Sequence, residues 1–214
     1  MEEALRVRIR EWSKKDRVRD HQYRGGYRDA KYLESDKDLA SLRTDPRWRP
    51  LVEQARANGD RYRAALNPEL RELFEQDQAN RRKGINQSGY SAMAKRDEAR
   101  LARVRQILAA GGARQGDDYY HAAMVLQHGQ GAEDFRQAHD LCMKTLEFEA
   151  YHRGARWLAA ASRDRELMTL GKPQLYGTQF TSGADGKVER WQVDPSITNA
   201  ERARWHVDPI SGAP

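Results

Sequence analysis

A chain of 214 residues, 33% charged and 38% hydrophobic with a formal net charge of +6, can bury the core of one large domain or of one domain with an appendage. No apolar run approaches the roughly 20 residues of a membrane span, and the acidic start Met1-Glu2-Glu3 has no hydrophobic signal core, so the expected location is the cytoplasm, away from membranes, unless a signal was removed from a longer parent. Cys142 is the single cysteine, which excludes an internal disulfide framework and a cysteine-based zinc site.

The basicity is uneven. Residues 1–66 hold 17 Lys and Arg against 12 Asp and Glu, leaving 21 against 20 for the rest. Tyr23, Tyr27 and Trp12 lie among these arginines and could stack on bases, but acids interrupt the run throughout and no groove-reading motif is present. A solvated helical surface is the expectation, and nucleic acid is the weakest of the partner readings.

Taken in order, residues 2–24 read as a charged amphipathic helix ended by Gly25-Gly26. Ser35 is placed to cap a short helix through Leu42, and Asp45 to cap another with Pro46 in its first turn. Asn67-Pro68-Glu69 is a clear start: a cap, a proline that needs no N–H donor, then an acid at the positive end of the helix dipole. That helix reaches about Lys83, and its apolar face (Leu66, Leu70, Leu73, Phe74) runs on into Asp77, Gln78 and Arg81. Gly84–Ser91 reads as a loop and residues 92–110 as an amphipathic helix stopped by Gly111-Gly112.

Asp117-Asp118 opens a nearly all-apolar helix over Tyr119–His128, which ends on Gln127-His128. Glu133–Glu149 and residues 150–170 follow as helices, the second with Tyr151, Ala155, Leu158, Ala159 and Leu167 inward and Asp164-Arg165 near its end. Then comes a dense turn, Gly171-Lys172-Pro173-Gln174-Leu175-Tyr176-Gly177-Thr178-Gln179-Phe180. Thr178–Ser182 and Lys187–Val193 read as a hairpin, and Thr198 with Glu201 as a capping box for Asn199–Trp205. The tail after Pro209 is expected to be loose. The fold class is therefore mainly α: a helical, bundle-like domain over residues 66–207 with a small C-terminal hairpin, preceded by a helical cap over residues 1–60 and followed by a tail at 208–214.

Two stretches resemble known families. The stretch over about residues 30–57, carried by the run Leu33 to Trp48, resembles the segment that closes many bacterial tetratricopeptide-repeat arrays, with Trp48 where phenylalanine is usual. The resemblance implies that residues 1–60 end a helical repeat. The set Asp77-Gln78 with Arg81, Gln127-His128, Asp164-Arg165 and Pro173-Gln174-Leu175-Tyr176-Gly177-Thr178-Gln179-Phe180 resembles a bacterial domain family of unknown function that often follows such repeats. That resemblance, over about residues 66–207, implies a shared site and a further arginine at Arg202 or Arg204, without naming a reaction.

All four motifs are polar breaks at the ends of apolar stripes, which points to one pocket. His128 is the group suited to proton transfer near neutral pH. Asp77 or Asp164 would orient it, and Arg81 or Arg165 would hold a carboxylate or phosphate. Gln78, Gln127, Gln174, Tyr176, Thr178 and Gln179 would complete substrate binding. His121 and His128 are seven positions apart, roughly 10.5 Å along a helix, so no metal site follows, and the absence of nucleotide-binding fingerprints leaves no cofactor expected. The function expected is acid/base chemistry, hydrolysis or elimination, on a small polar or anionic molecule. The alternatives are a ligand- or peptide-binding module whose N-terminal helices dock a protein, and a purely internal network that fixes helix register.

Overall fold

The computed structural model describes residues 27–82, 89–183 and 186–212. The expected helix over residues 2–24, most of the Gly84–Ser91 loop and the hairpin's Ala184-Asp185 lie outside them. The described residues are mainly helical, with one small antiparallel hairpin, and contain no helix long and apolar enough to cross a membrane. The chain divides into two compact units: Met1–Leu66 with Phe148–Tyr151, and Asn67–Glu147 with His152–Pro214.

In the first unit, α1 (Ala30–Ser35), a 3-10 helix (Lys37–Leu42) and α2 (Trp48–Ala65) bury Leu33, Leu39, Trp48 and Val52 together. Its caps differ from expectation. Asp29 caps α1 by accepting from the Tyr32 amide at 2.9 Å, and Ser35 is the helix's last residue. Asp36 accepts from the Asp38 amide and starts the 3-10 turn. Asp45 does not cap α2, because Arg47 two residues on captures its carboxylate through both amide and guanidinium. The Arg47 contacts hold the Asp45 carboxyl at about 2.

The second unit holds α3 (Pro68–Arg82), α4 (Gly89–Ala109), α5 (Gly116–Leu126), α6 (Ala132–Phe148), α7 (Arg153–Thr169), strands β1 (Phe180–Ser182) and β2 (Val188–Arg190), and α8 (Asn199–Arg204). Asn67 caps α3 by accepting from the amides of Glu69 and Leu70. The helix reads apolar at the positions one face needs, and Leu70 is fully buried. The amide of Gly112 reaches back to the Ile107 carbonyl at 2.8 Å and closes α4. Leu70, Leu101, Val104, Ala122, Val125 and Leu126 form the main core, so α5, apolar on most sides, packs among α3, α4 and α7. Gln115 and Asp118 form its capping box.

Cys142 is fully buried with Ala123, Ala155, Leu158 and Ala159, and burial pushes its thiol far up. Tyr151, expected inward, is exposed: α7 starts only at Arg153, behind a His152 cap whose Nδ1 accepts from the Ala155 amide. The strands are three residues each, shorter than their apolar alternation implied, with Phe180 opposite Arg190. The tail is not loose at its start, because the Ile210 amide donates to Asn199 Oδ1 at 2.8 Å and Asn199 Nδ2 donates back to the Ile210 carbonyl.

Candidate functional site

The turn after α7 is built around one carboxylate. Gly171, at φ +70°, ends the helix in the left-handed region. The chain then folds back over Asp164, which is fully buried. Asp164 Oδ1 accepts from the amides of Leu175 (2.8 Å) and Tyr176 (2.9 Å). Oδ2 accepts from the amide (2.9 Å) and the hydroxyl (2.8 Å) of Thr178. Four donors fill the roughly four acceptor sites of a carboxylate.

Gln174, also fully buried, imitates a strand neighbour. Its Oε1 accepts from the Gln179 amide at 2.8 Å, while Nε2 donates to the carbonyls of Gln179 and Trp191. Arg202 donates to the carbonyls of Tyr176 and Ile197. Burial pushes the Tyr176 phenol up, with Glu201 and Asp164 adding to the effect. Its ring packs on Ala160, Val207 and Trp205. Gly177 sits at φ +80°, and a side chain there would meet Ile210 Cδ1 at 2.5 Å.

The second half of the network lies where α3, α4 and α5 end their apolar stripes. Asp77, on α3, is fully buried. Its Oδ2 accepts from Gln78 Nε2 at 2.9 Å. Its Oδ1 faces three nitrogens: Arg81 Nη1 at 3.0 Å, His128 Nδ1 at 3.2 Å and Arg100 Nε at 3.9 Å. Yet Asp77 Oδ1, His128 Nδ1 and Arg100 Nε are all buried and none has an aligned hydrogen bond. The distances place charge beside charge, and the angles leave the bonds unmade.

Arg81 also reaches Asp97 at 3.1 Å, and Arg100 grips the same carboxylate at 2.5 Å. Asp97 and Arg100 escape the sequence reading because on α4 they look like any pair on a charged helix. Burial, at 9% and 5% exposure, is what marks them.

Arg165 joins the halves. Its Nε donates to Gln179 Oε1 at 3.1 Å and its Nη1 to the Gln127 carbonyl at 2.8 Å. Gln179 passes the connection on through Nε2 to Thr178 Oγ1 and so to Asp164. Burial lowers the Arg165 pKa, and repulsion from Arg81 lowers it further. Among the described residues the Gln127 side-chain amide finds only the weak Met124 sulfur, at 3.5 Å.

The residues picked from sequence thus form one connected network but play unequal parts. Of the two aspartates, Asp77 is the one beside His128, while Asp164 has its oxygens occupied by the turn. Of the two arginines, Arg81 is shared between Asp77 and Asp97, and Arg165 has no carboxylate partner among the described residues. His121 is apart from this network: it stacks on Phe74 at 4.6 Å, and burial pushes its pKa down. Among the described residues no group of three His, Cys, Asp or Glu side chains could hold a metal ion. No family model matches the chain, and neither a curated protein nor a solved structure matches it.

Proposed function

We propose that the second unit is an enzyme acting on a small polar or anionic molecule by acid/base chemistry, a hydrolase or lyase with His128 as the proton-transfer group. One observation carries the reading: a fully buried carboxylate, Asp77 Oδ1, stands 3.2 Å from His128 Nδ1. With the ring turned to align the pair, the proton sits on Nδ1 and Nε2 is left as the base. Nε2 has no hydrogen-bond partner among the described residues, and the imidazole is 18% exposed, so a reactant can reach it.

In a hydrolysis Nε2 takes a proton from water as its oxygen adds to the substrate, and then returns that proton to the leaving group. In an elimination it takes the proton from carbon instead, and again returns it to the leaving group. Either way the imidazolium is transient and Asp77 stabilises it. Arg165, fixed by Gln127 and Gln179, holds the substrate's polar end. Asp164, Gln174, Tyr176 and Thr178 act one step away, by fixing the turn that presents Gln179 to Arg165. Membership of the family described from the motifs is part of this proposal and rests on those motifs alone, as does the repeat-like character of the first unit.

The test is turnover of a library of small esters, amides, phosphoesters and hydroxy acids by the wild type, His128→Gln and Asp77→Asn. Turnover that both variants lose while retaining their fold supports the reading. Turnover that survives both sinks it, and ligand binding with no turnover by any form favours the non-catalytic binding module.

A further inference from the structure

The charges around the Asp77–His128 pair do not balance. Arg81, Arg100 and Arg165 bring three guanidinium groups against the two carboxylates of Asp77 and Asp97, a surplus of one positive charge with His128 neutral. The other acid of the network, Asp164, is committed to four donors of the turn. Arg81 and Arg100 share the two carboxylates, so the unmatched cation is Arg165.

Two of the five N–H groups of Arg165 are used, one on the Gln179 side chain and one on the Gln127 carbonyl. Both acceptors are neutral. They orient the guanidinium without neutralising it, and three donors remain. The guanidinium has the Phe135 ring 5.6 Å away but no carboxylate partner among the described residues, and Arg81 repels it, so an anion there is favoured. Arginine in that state presents parallel donors to a carboxylate or phosphate. The Gln127 side-chain amide, on the residue whose carbonyl Arg165 holds, has among the described residues only the Met124 thioether as acceptor.

We infer that the ligand of this site carries a single carboxylate, which seats on Arg165. This rests on the acid/base reading only for the location of the site. One surplus charge matches one carboxylate. A phosphate monoester carries about −1.5 to −2 at pH 7, more than the one unmatched charge, and matches it only after taking up a proton. The two oxyanions therefore differ in what binding does to protons: a carboxylate binds without uptake, whereas a phosphate binds with uptake.

Acetate, benzoate and inorganic phosphate, titrated into the full chain while the Arg165 Nε resonance is followed by NMR, test this. Calorimetry in two buffers of different ionisation enthalpy reports the proton count. The carboxylates are expected to shift the resonance saturably with no net proton uptake above pH 7. Arg165→Gln is expected to weaken benzoate about ten- to hundredfold, and Arg165→Lys, which keeps the charge without the fork and guards against a misfolded Gln variant, to weaken it less. Phosphate binding tighter than carboxylate, or benzoate binding equally to wild type and Arg165→Gln, overturns the inference; so does the lack of any saturable shift with a carboxylate. Benzoate binding without His128-dependent turnover of any substrate sinks the catalytic reading and leaves this one standing. Turnover that depends on His128, on a substrate without an anionic group and with no carboxylate binding, does the reverse.

Discussion

Two buried aspartates, Asp77 and Asp164, stand at opposite ends of one polar network and have opposite surroundings. Asp164 receives four hydrogen bonds at 2.8–2.9 Å, all from the turn that wraps it. Asp77 has three nitrogens crowded on one oxygen and no aligned bond from any of them. A buried polar group left unpaired costs on the order of 1–3 kcal/mol, so a fold that needed only rigidity would treat both ends alike. The matched donors of the turn are what a structural role requires, and the unmatched set around Asp77 is what supports the proposed site.

Substitutions separate the two aspartates. The largest expected effect is from Asp164→Ala, which orphans three backbone amides and a hydroxyl in the interior, for a loss of about 3–5 kcal/mol of stability and a melting point lowered by roughly 10 °C. Calorimetric unfolding measures it, and a loss under about 1 kcal/mol would mean the turn is held elsewhere. Asp77→Asn is expected to cost less stability but, if the proposed reaction exists, to lower turnover about 10³–10⁴-fold by presenting the wrong His128 tautomer. Steady-state kinetics beside a melt separates the two effects.

Gly177→Ala sharpens the architectural side. At φ +80°, with Ile210 in the way, it is expected to cost about 1–3 kcal/mol and to loosen the tail, read as faster amide exchange at Ile210.

The smallest expected effect is pH-dependent and lies outside the network. Burial lowers the His121 pKa, with His152 contributing in the same direction against the pull of Asp117, Asp118 and Glu75. Between the lowered folded value and the unfolded value near 6.5, the unfolded state binds more protons. Stability from His121 is therefore present above pH ~6.5 and is lost as pH falls towards the folded value. His121→Phe should flatten part of that slope in melts between about pH 7.5 and 5.5. An unchanged slope would remove His121 from the account.

Much of the fold was legible because its signals are local. Asn67-Pro68 announces a helix start within three residues, and Gly111 and Gly171 each end a helix where the backbone turns left-handed. Local signals also misled where two side chains compete for one cap. Asp45 loses its helix to Arg47, and Ser35 yields to Asp29 and Asp36. At the site, helical periodicity puts Asp77 and Arg81 on one face, and the end of an apolar helix picks out Gln127-His128. That Asp164 is consumed by the turn and that α4 contributes Asp97 and Arg100 depend on contacts across the fold, which no spacing encodes.

The central claim is that Asp77 and His128 work as a pair. The 15N resonances of the His128 ring, recorded in the full chain above pH 7.5, report directly which nitrogen carries the proton. The proton is expected on Nδ1, facing Asp77, with Nε2 unprotonated and shifted by bound carboxylate. A proton on Nε2, unchanged by Asp77→Asn, would contradict it.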